Sequence, residues 1–115
     1  MLKTITTAFL LISTPAFALD QEYLGKWIAE GSAPLREVCI PAAGFRITPQ
    51  GMTADKTQCK FINETRDGTG WKVRLSCVIE GGKSTVNLRW QMMPNGHLQE
   101  TQDGVTSNYE RCPTK

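Results

Sequence analysis

The most informative stretch of the sequence is CKFINETRDGTGWKVRLSC, residues 59–77, with a cysteine at each end and the turn signal Asp67-Gly68 near its middle. If the chain reverses at Gly68, Cys59 lies directly opposite Cys77. Directly opposed residues of antiparallel strands have Cα atoms about 4.5–5.5 Å apart, within or near the span of a disulfide. The stretch therefore predicts a β-hairpin cross-linked by these cysteines. The same reversal predicts three further facing pairs: Phe61 with Leu75, Glu64 with Lys72, and Lys60 with Ser76.

The residues on either side of the next turn signal also alternate between apolar and polar. In residues 71–79 and 86–92 the apolar residues recur with a period of two, which is typical of half-buried strands. Gly81-Gly82 lies between these runs and is a two-residue hairpin signal. A turn at this dipeptide predicts four facing pairs: Leu75 with Leu88, Val73 with Trp90, Cys77 with Val86, and Arg74 with Arg89.

Further turn signals divide the rest of the chain into short strands. They are Pro49-Gln50, Pro94-Asn95-Gly96 and Asp103-Gly104, the last of which sets Leu98 opposite Tyr109. With a first strand around Trp27, the count is about eight. We therefore predict an all-β fold, a small antiparallel up-and-down meander. An open sheet is the alternative to a closed barrel, and we favour the barrel because closure removes edge strands that invite aggregation.

The four cysteines are an even number, which favours two disulfides in an exported chain. With Cys59 assigned to Cys77, Cys39 is left to pair with Cys112. This bond would tie the early chain to the last strand, as closure requires. Residues 31–43 contain two prolines and an Ala-Ala pair, which predict a loop with room for a short helical turn. A reduced pair packed as small apolar residues is the alternative.

The first 18 residues are typical of a cleaved signal peptide. Lys3 supplies a positive start, an apolar stretch follows, and Ala16-Phe17-Ala18 is a small-x-small cleavage site. The apolar stretch is too short to span a bilayer, so an uncleaved anchor is the less favoured alternative. We expect a single mature domain, residues 19–115, that is periplasmic or secreted and has no membrane span.

The charge composition argues against two classes of protein. The chain has 13 basic and 11 acidic residues, and one of the basic residues, Lys3, belongs to the signal segment. A near balance of charge is unlike that of nucleic-acid binders or polybasic membrane binders.

The residue set offers little for catalysis. His97 is the only histidine, and the cysteines are assigned to disulfides, so a catalytic triad or dyad would lack a free nucleophile. We interpret His97 as an exposed turn residue, and four glutamates as solvated surface carboxylates: Glu22, Glu30, Glu37 and Glu100. No C-x-x-C pair indicates a metal site, and no complete glycine-rich motif indicates a dinucleotide. We predict a non-enzymatic protein without metal or cofactor.

Two surface features are candidates for binding a partner. Arg74 and Arg89, with Lys60 on the neighbouring strand, form a basic cluster that would suit an acidic protein or an anionic envelope component. Met93 adjoins Met92 at a turn, where flexible thioethers could fill a partner's groove. The simpler interpretations are a solvated basic surface and core packing of Met92.

The first predicted strand contains Gly25-Lys26-Trp27, which resembles the Gly-x-Trp signature of calycins, the lipocalin-like barrels. Arg111, near the end of the last strand, could cover Trp27 as a basic residue does in that group. The chain is also similar to the small exported bacterial metalloprotease inhibitors of the same barrel type. The resemblance covers three residues and the strand count, and it implies a barrel that inhibits a hydrolase.

Three functions follow as expectations. The preferred one is a binding module, an inhibitor or partner-binding protein acting on a hydrolase. The second is a carrier of a small apolar ligand, which ranks lower because three tryptophans could fill an eight-stranded interior: Trp27, Trp71 and Trp90. The third is an unrecognised hydrolase. The oligomeric state has no signal in the sequence.

Overall fold

The computed structural model of the chain describes residues 19–31 and 34–113. The predicted signal peptide, residues 1–18, lies outside the described residues. So do residues 32–33 and 114–115.

Eight antiparallel strands follow one another in chain order and close into a barrel. They are β1 (Gly25–Ala29), β2 (Phe45–Thr48), β3 (Gly51–Ala54), β4 (Thr57–Asp67), β5 (Gly70–Ile79), β6 (Gly82–Met92), β7 (Leu98–Gln102) and β8 (Val105–Arg111). A short 3-10 helix, Gln21–Tyr23, precedes β1, and α1 (Leu35–Val38) lies in the loop before β2. Because β1 pairs with β8, the predicted meander is confirmed as a closed barrel.

The β4–β5 hairpin carries the predicted cross-link. Cys59 lies opposite Cys77 with Cα atoms 4.0 Å apart, and a disulfide joins the two residues. Lys60 lies opposite Ser76, as predicted. The sequence pattern of residues 59–77 was therefore sufficient to predict the facing pairs in the half of the hairpin that contains the disulfide.

A β-bulge in β4 makes one predicted pair wrong. The register shifts by one residue between Phe61 and Asn63, so Glu64 lies opposite Val73 and not opposite Lys72. A bulge inserts one extra residue into one strand of an antiparallel pair. The insertion moves the turn to a position that the sequence pattern does not reveal.

The β5–β6 register differs from the prediction by two residues. The turn is Glu80-Gly81, where φ is 48° and 86°, and not Gly81-Gly82. Positive φ at both central residues is the type I′ conformation, whose twist suits a hairpin. The facing pairs are Trp71 with Trp90, Val73 with Leu88, Leu75 with Val86, Cys77 with Ser84, Lys72 with Arg89, and Arg74 with Asn87. The four predicted pairs are wrong, but a two-residue shift leaves every side chain on its predicted face.

The other predicted connections are confirmed. Cys39 and Cys112 form the second disulfide, and the loop of residues 31–43 contains α1. Leu98 lies opposite Tyr109. All four cysteines are disulfide-bonded, so the alternative of a reduced pair is not observed.

The barrel interior is filled by the chain's own side chains. The indoles of Trp27 and Trp90 are fully buried, and Trp90 also makes an edge-to-face contact with Phe61, with ring centroids 6.1 Å apart. Such aromatic pairs contribute about 0.5–1.5 kcal/mol beyond the area that they bury. The other large side chains that are fully buried are Tyr23, Ile47, Leu75, Leu98 and Val73.

The residues before β1 close one end of the barrel. The buried Tyr23 hydroxyl accepts a hydrogen bond from the Met92 N–H at 3.1 Å, and the Tyr23 carbonyl accepts one from the Trp27 indole at 3.0 Å. The Arg111 guanidinium lies 4.4 Å from the Trp27 ring centroid and donates to two main-chain carbonyls of residues 22–24. The expected cover of Trp27 by Arg111 is thus confirmed.

Glu100 departs from the prediction of a solvated surface carboxylate. It lies opposite Trp90 on the inward face of β7, and its Oε1 accepts a hydrogen bond from the Trp90 indole N–H at 2.9 Å. Burial raises the pKa of the Glu100 carboxyl, and the hydrogen bond from Trp90 opposes this only in part. The carboxyl also helps to raise the pKa of Tyr109, for which burial is the larger cause.

Replacement of Arg111 tests the closure of the barrel end. We expect Arg111→Met to lower the free energy of unfolding by about 2–3 kcal/mol, because it removes a cation–π contact and two charge-assisted hydrogen bonds. Urea unfolding followed by tryptophan fluorescence measures the change.

Arg66→Met is the matched control for this variant. The Arg66 guanidinium also lies over an indole, 4.6 Å from the Trp71 ring centroid, but its side chain is 53% exposed. We expect a loss below about 1 kcal/mol, since exposed charges contribute little. Equal losses in the two variants would contradict the role given to Arg111.

Glu100→Gln tests the cost of charging the buried carboxyl. At pH values well below about 4.3, the ordinary pKa of a glutamate, the carboxyl is neutral in the folded and unfolded states, so the variant should match the parent. As the pH rises, the unfolded state ionises first, and the parent loses stability relative to the variant until the raised folded-state pKa is passed. Urea unfolding at a series of pH values measures the difference, and a difference that does not depend on pH would refute it.

Candidate functional site

The outward side of β4, β5 and β6 carries a concentration of positive charge. On β5, Trp71, Val73 and Leu75 are buried, so the residues between them must face outward. On the two neighbouring strands, Lys60 lies opposite Ser76, Lys83 opposite Val78 and Arg89 opposite Lys72, so these cations share the outward side. We call the resulting surface the basic face and define it by five residues: Lys60, Lys72, Arg74, Lys83 and Arg89.

Most of the basic face has no acidic partner. Within residues 19–31 and 34–113, four of its five side chains form no salt bridge: Lys60, Lys72, Arg74 and Lys83. Unpaired cations on a rigid sheet are available to an incoming anion without first breaking an internal ion pair.

Arg89 is the exception because it is held by Asp67. Its Nε lies 2.8 Å from the Asp67 carboxylate, and its Nη2 donates to the Asp67 carbonyl at 2.9 Å. The hydrogen bond from Arg89 lowers the pKa of the Asp67 carboxyl, and the nearby Lys72 charge adds to the effect. Arg89 is therefore less available to a partner than the sequence suggested.

The predicted arrangement of the basic cluster needs correction. Arg74 lies opposite Asn87, while Arg89 lies opposite Lys72. The like charges that face each other are thus Lys72 and Arg89, with Asp67 beside them as compensation. The predicted residues do share one surface, but the arginines are one row apart along the outward side.

Two shallow depressions lie on the basic face. One, of about 310 Å³, is lined by Lys72, Arg74 and Arg89. The other, of about 680 Å³, is lined by three lysines and one carboxylate: Lys56, Lys60, Lys83 and Glu80. Arginine can hold a carboxylate through two parallel hydrogen bonds, and lysine acts as a compact point charge. The arrangement suits acidic side chains placed on a complementary surface.

Met93 is not part of this site. It lies between β6 and β7 and lines two other depressions, one with Thr69 and Gln91 and one with His97. Neither depression is lined by Lys60, Arg74 or Arg89. Met92 packs against the core, in agreement with the simpler interpretation of the methionine pair.

His97 is engaged within the protein. Its Nδ1 lies within hydrogen-bond distance of the Glu30 carboxylate, and its side chain is half-buried rather than the exposed turn residue that we expected. The contact joins the chain just after β1 to the start of β7, and it identifies a structural partner for the only histidine of the chain.

The described part of the chain contains neither a cluster of metal ligands nor a long apolar helix. Among residues 19–31 and 34–113, no three potential ligands of the His, Cys, Asp or Glu type are grouped to hold a metal ion. In the same ranges, no helix has the length and apolar character needed to cross a membrane.

Comparison of the chain with protein-family models, with curated proteins and with solved structures finds no match. The shape is that of a small eight-stranded antiparallel barrel, consistent in general form with a lipocalin-like barrel. The geometry of the basic face is accordingly the basis on which a function can be proposed.

Proposed function

We propose that the protein is an exported binding module that acts as an inhibitor of, or a docking partner for, a hydrolase in the periplasm or outside the cell. The observation that carries the proposal is the basic face, in which Lys60, Arg74 and Lys83 form no salt bridge within the described residues. The partner surface that fits it is acidic.

The rigidity of the barrel supports a docking role. Two disulfides cross-link the fold, one across the β4–β5 hairpin and one between the early loop and the residue after β8. A preorganised surface loses little conformational freedom when it binds, so more of the contact energy remains as affinity. Two disulfides are also what a small domain folded in an oxidising compartment is expected to contain.

The filled interior supports a surface partner over a carried ligand. An eight-stranded barrel is just wide enough to be filled by its own side chains or to hold one small ligand. Here Trp27, Trp90 and Leu75 belong to the hydrophobic core, and all three are fully buried. A carried apolar molecule would have to displace part of this core.

Apolar residues beside the cations favour a protein partner over an anionic polymer. Val78 is 43% exposed and lines the same depression as Lys60 and Lys83. Ile62, at the bulge in β4, is 54% exposed. Protein interfaces combine an apolar centre with a polar rim, whereas binding to a polyanion needs mainly charge.

Charge reversal on the basic face tests the proposal. We expect the protein to bind and inhibit at least one member of a panel of purified secreted proteases and lysozymes. Arg74→Glu should weaken that binding by about tenfold or more, because it turns an attraction into a repulsion. Inhibition assays and calorimetry at low and high salt measure the effect, which should shrink as salt rises.

Arg46→Glu is the matched control for Arg74→Glu. It makes the same change of charge at an exposed position on β2, and Arg46 lines neither of the two depressions on the basic face. We expect at most about a twofold change in affinity, since an isolated surface charge contributes little. Binding that is equally sensitive to both variants would indicate general attraction to net charge, as would capture by an anionic polymer alone.

Native mass spectrometry tests the choice between docking and carriage. Protein purified without denaturant should show the mass of the disulfide-bonded chain alone, because Trp27, Trp90 and Leu75 fill the interior. A co-purifying apolar molecule, released when the protein is unfolded, would contradict the docking proposal.

A further inference from the structure

Half of β6 has a neighbouring strand on one side only. β6 runs from Gly82 to Met92, but β7 pairs with it at residues 89–92 alone. Within the described chain, residues 82–87 pair only with β5. We call this segment the free edge. It is a strand edge that closure of the barrel does not remove.

The turn geometry identifies which backbone groups of the free edge are unpaired. Ile79 and Gly82 flank a two-residue turn and so form a hydrogen-bonded pair. Hydrogen-bonded and non-hydrogen-bonded pairs alternate along an antiparallel ladder, so the residues at odd positions point their N–H and C=O groups away from β5. These residues are Lys83, Thr85 and Asn87, and all three are exposed.

The free edge has few of the features that normally protect an edge strand. Natural edges are blunted by proline, bulges, charge or a covering loop. The β5–β6 ladder is continuous from Gly82 to Trp90, without a bulge or proline. Within residues 19–31 and 34–113, no loop backbone hydrogen-bonds to residues 82–87. Lys83 is the one charged residue on the edge.

We propose that the free edge takes up an extended acidic segment of the partner as an added β-strand. The inference rests on the proposed docking function and specifies how the partner is held. Main-chain hydrogen bonds to Lys83, Thr85 and Asn87 supply the attachment, and side chains at alternate positions supply the selectivity.

Charge selects this occupant over a second copy of the chain. Outward side chains of an added strand would lie beside Lys83, Thr85 and Asn87. Arg74 faces Asn87 on β5, and Lys60 on β4 follows in the row of Thr85 and Ser76. Acidic residues at these positions would be attracted. A second copy joined edge to edge would instead add the same five cations of its own basic face to one continuous surface.

The inward positions of the added strand set a second requirement. They would lie beside Ser84 and Val86, which alternate along β6 with Lys83, Thr85 and Asn87. Small or apolar side chains fit beside them. The segment that the structure fits is therefore one in which acidic residues alternate with small apolar ones.

Amide hydrogen exchange of the disulfide-bonded protein tests the proposal directly. The probe is a short synthetic peptide in which Glu alternates with Val, and the control peptide has Lys in place of Glu. With the Glu peptide, exchange at Lys83, Thr85 and Asn87 should slow by about tenfold or more, as expected for amides that gain a hydrogen bond. The amides of Ser84 and Val86 already face β5 and serve as internal controls.

A proline at the centre of the edge gives an independent test. Thr85→Pro removes an N–H that points away from β5, a position at which edge strands tolerate proline. It should weaken binding of the Glu peptide by about tenfold, through the lost hydrogen bond and the bulk of the ring. Thr85→Ala retains the N–H and should bind like the parent. Near-ultraviolet circular dichroism checks that both variants are folded.

The outcomes separate the added strand from the docking function. Suppose that Arg74→Glu weakens binding of the Glu peptide or of a hydrolase, but exchange on the free edge is not slowed and Thr85→Pro has no effect. The added strand is then wrong, and the docking function stands. If protection of the edge instead requires dimers of the protein alone, a second copy is the occupant. If neither Arg74→Glu nor Thr85→Pro affects binding of a hydrolase, both proposals fail.

Discussion

The structure depends on the two-residue alternation of β4, β5 and β6, which makes one side of these strands apolar and the other charged. Successive side chains of a strand point to opposite faces, so the burial of Trp71, Val73 and Leu75 forces Lys72 and Arg74 outward. The core and the basic face are therefore two consequences of one pattern. A slip of one residue would expose the core and bury the charges, which is why the face assignment is strongly determined.

This constraint explains which parts of the fold could be predicted from the sequence. The strand faces and the pairing of Cys59 with Cys77 require only the period of two and the positions of the reversals. Closure rests in addition on the removal of edge strands and on the bond between Cys39 and Cys112. The register of β5 with β6 requires more, because registers two residues apart bury the same side chains. The observed register places Glu80 at positive φ, which costs roughly 1–2 kcal/mol for a residue with a Cβ atom. In this register Trp71 lies opposite Trp90, and the turn residues alone do not reveal this aromatic cross-strand pair.

Three residues of the basic face were predicted from the sequence, but Lys72, Lys83 and the contacts within the site were not. Lys60, Arg74 and Arg89 face outward as the alternation indicates, yet the bond between Arg89 and Asp67 joins residues of different hairpins and depends on the bulge and the register together. For Glu100 the position was predictable, but the prediction made is wrong. Its alternation with Leu98 indicates an inward position, whereas the prediction of a solvated carboxylate rests on the residue type alone. The position is tolerated because the Trp90 indole donates a hydrogen bond to it.

Closure of a barrel removes edges only where neighbouring strands are equally long. β6 has 11 residues and β7 has 5, so half of β6 keeps an edge although the barrel is closed. That half adjoins the cross-link: Ser84 pairs with Cys77, and Cys77 is bonded to Cys59 on the far side of β5. A covalent tie between the two strands behind the edge restricts the motion of the hairpin. An incoming segment would therefore lose its own conformational freedom while the edge loses little, which favours an added strand at this position over one at a flexible edge. The disulfide between Cys59 and Cys77 thus restricts the motion of the outer surface as well as that of the core.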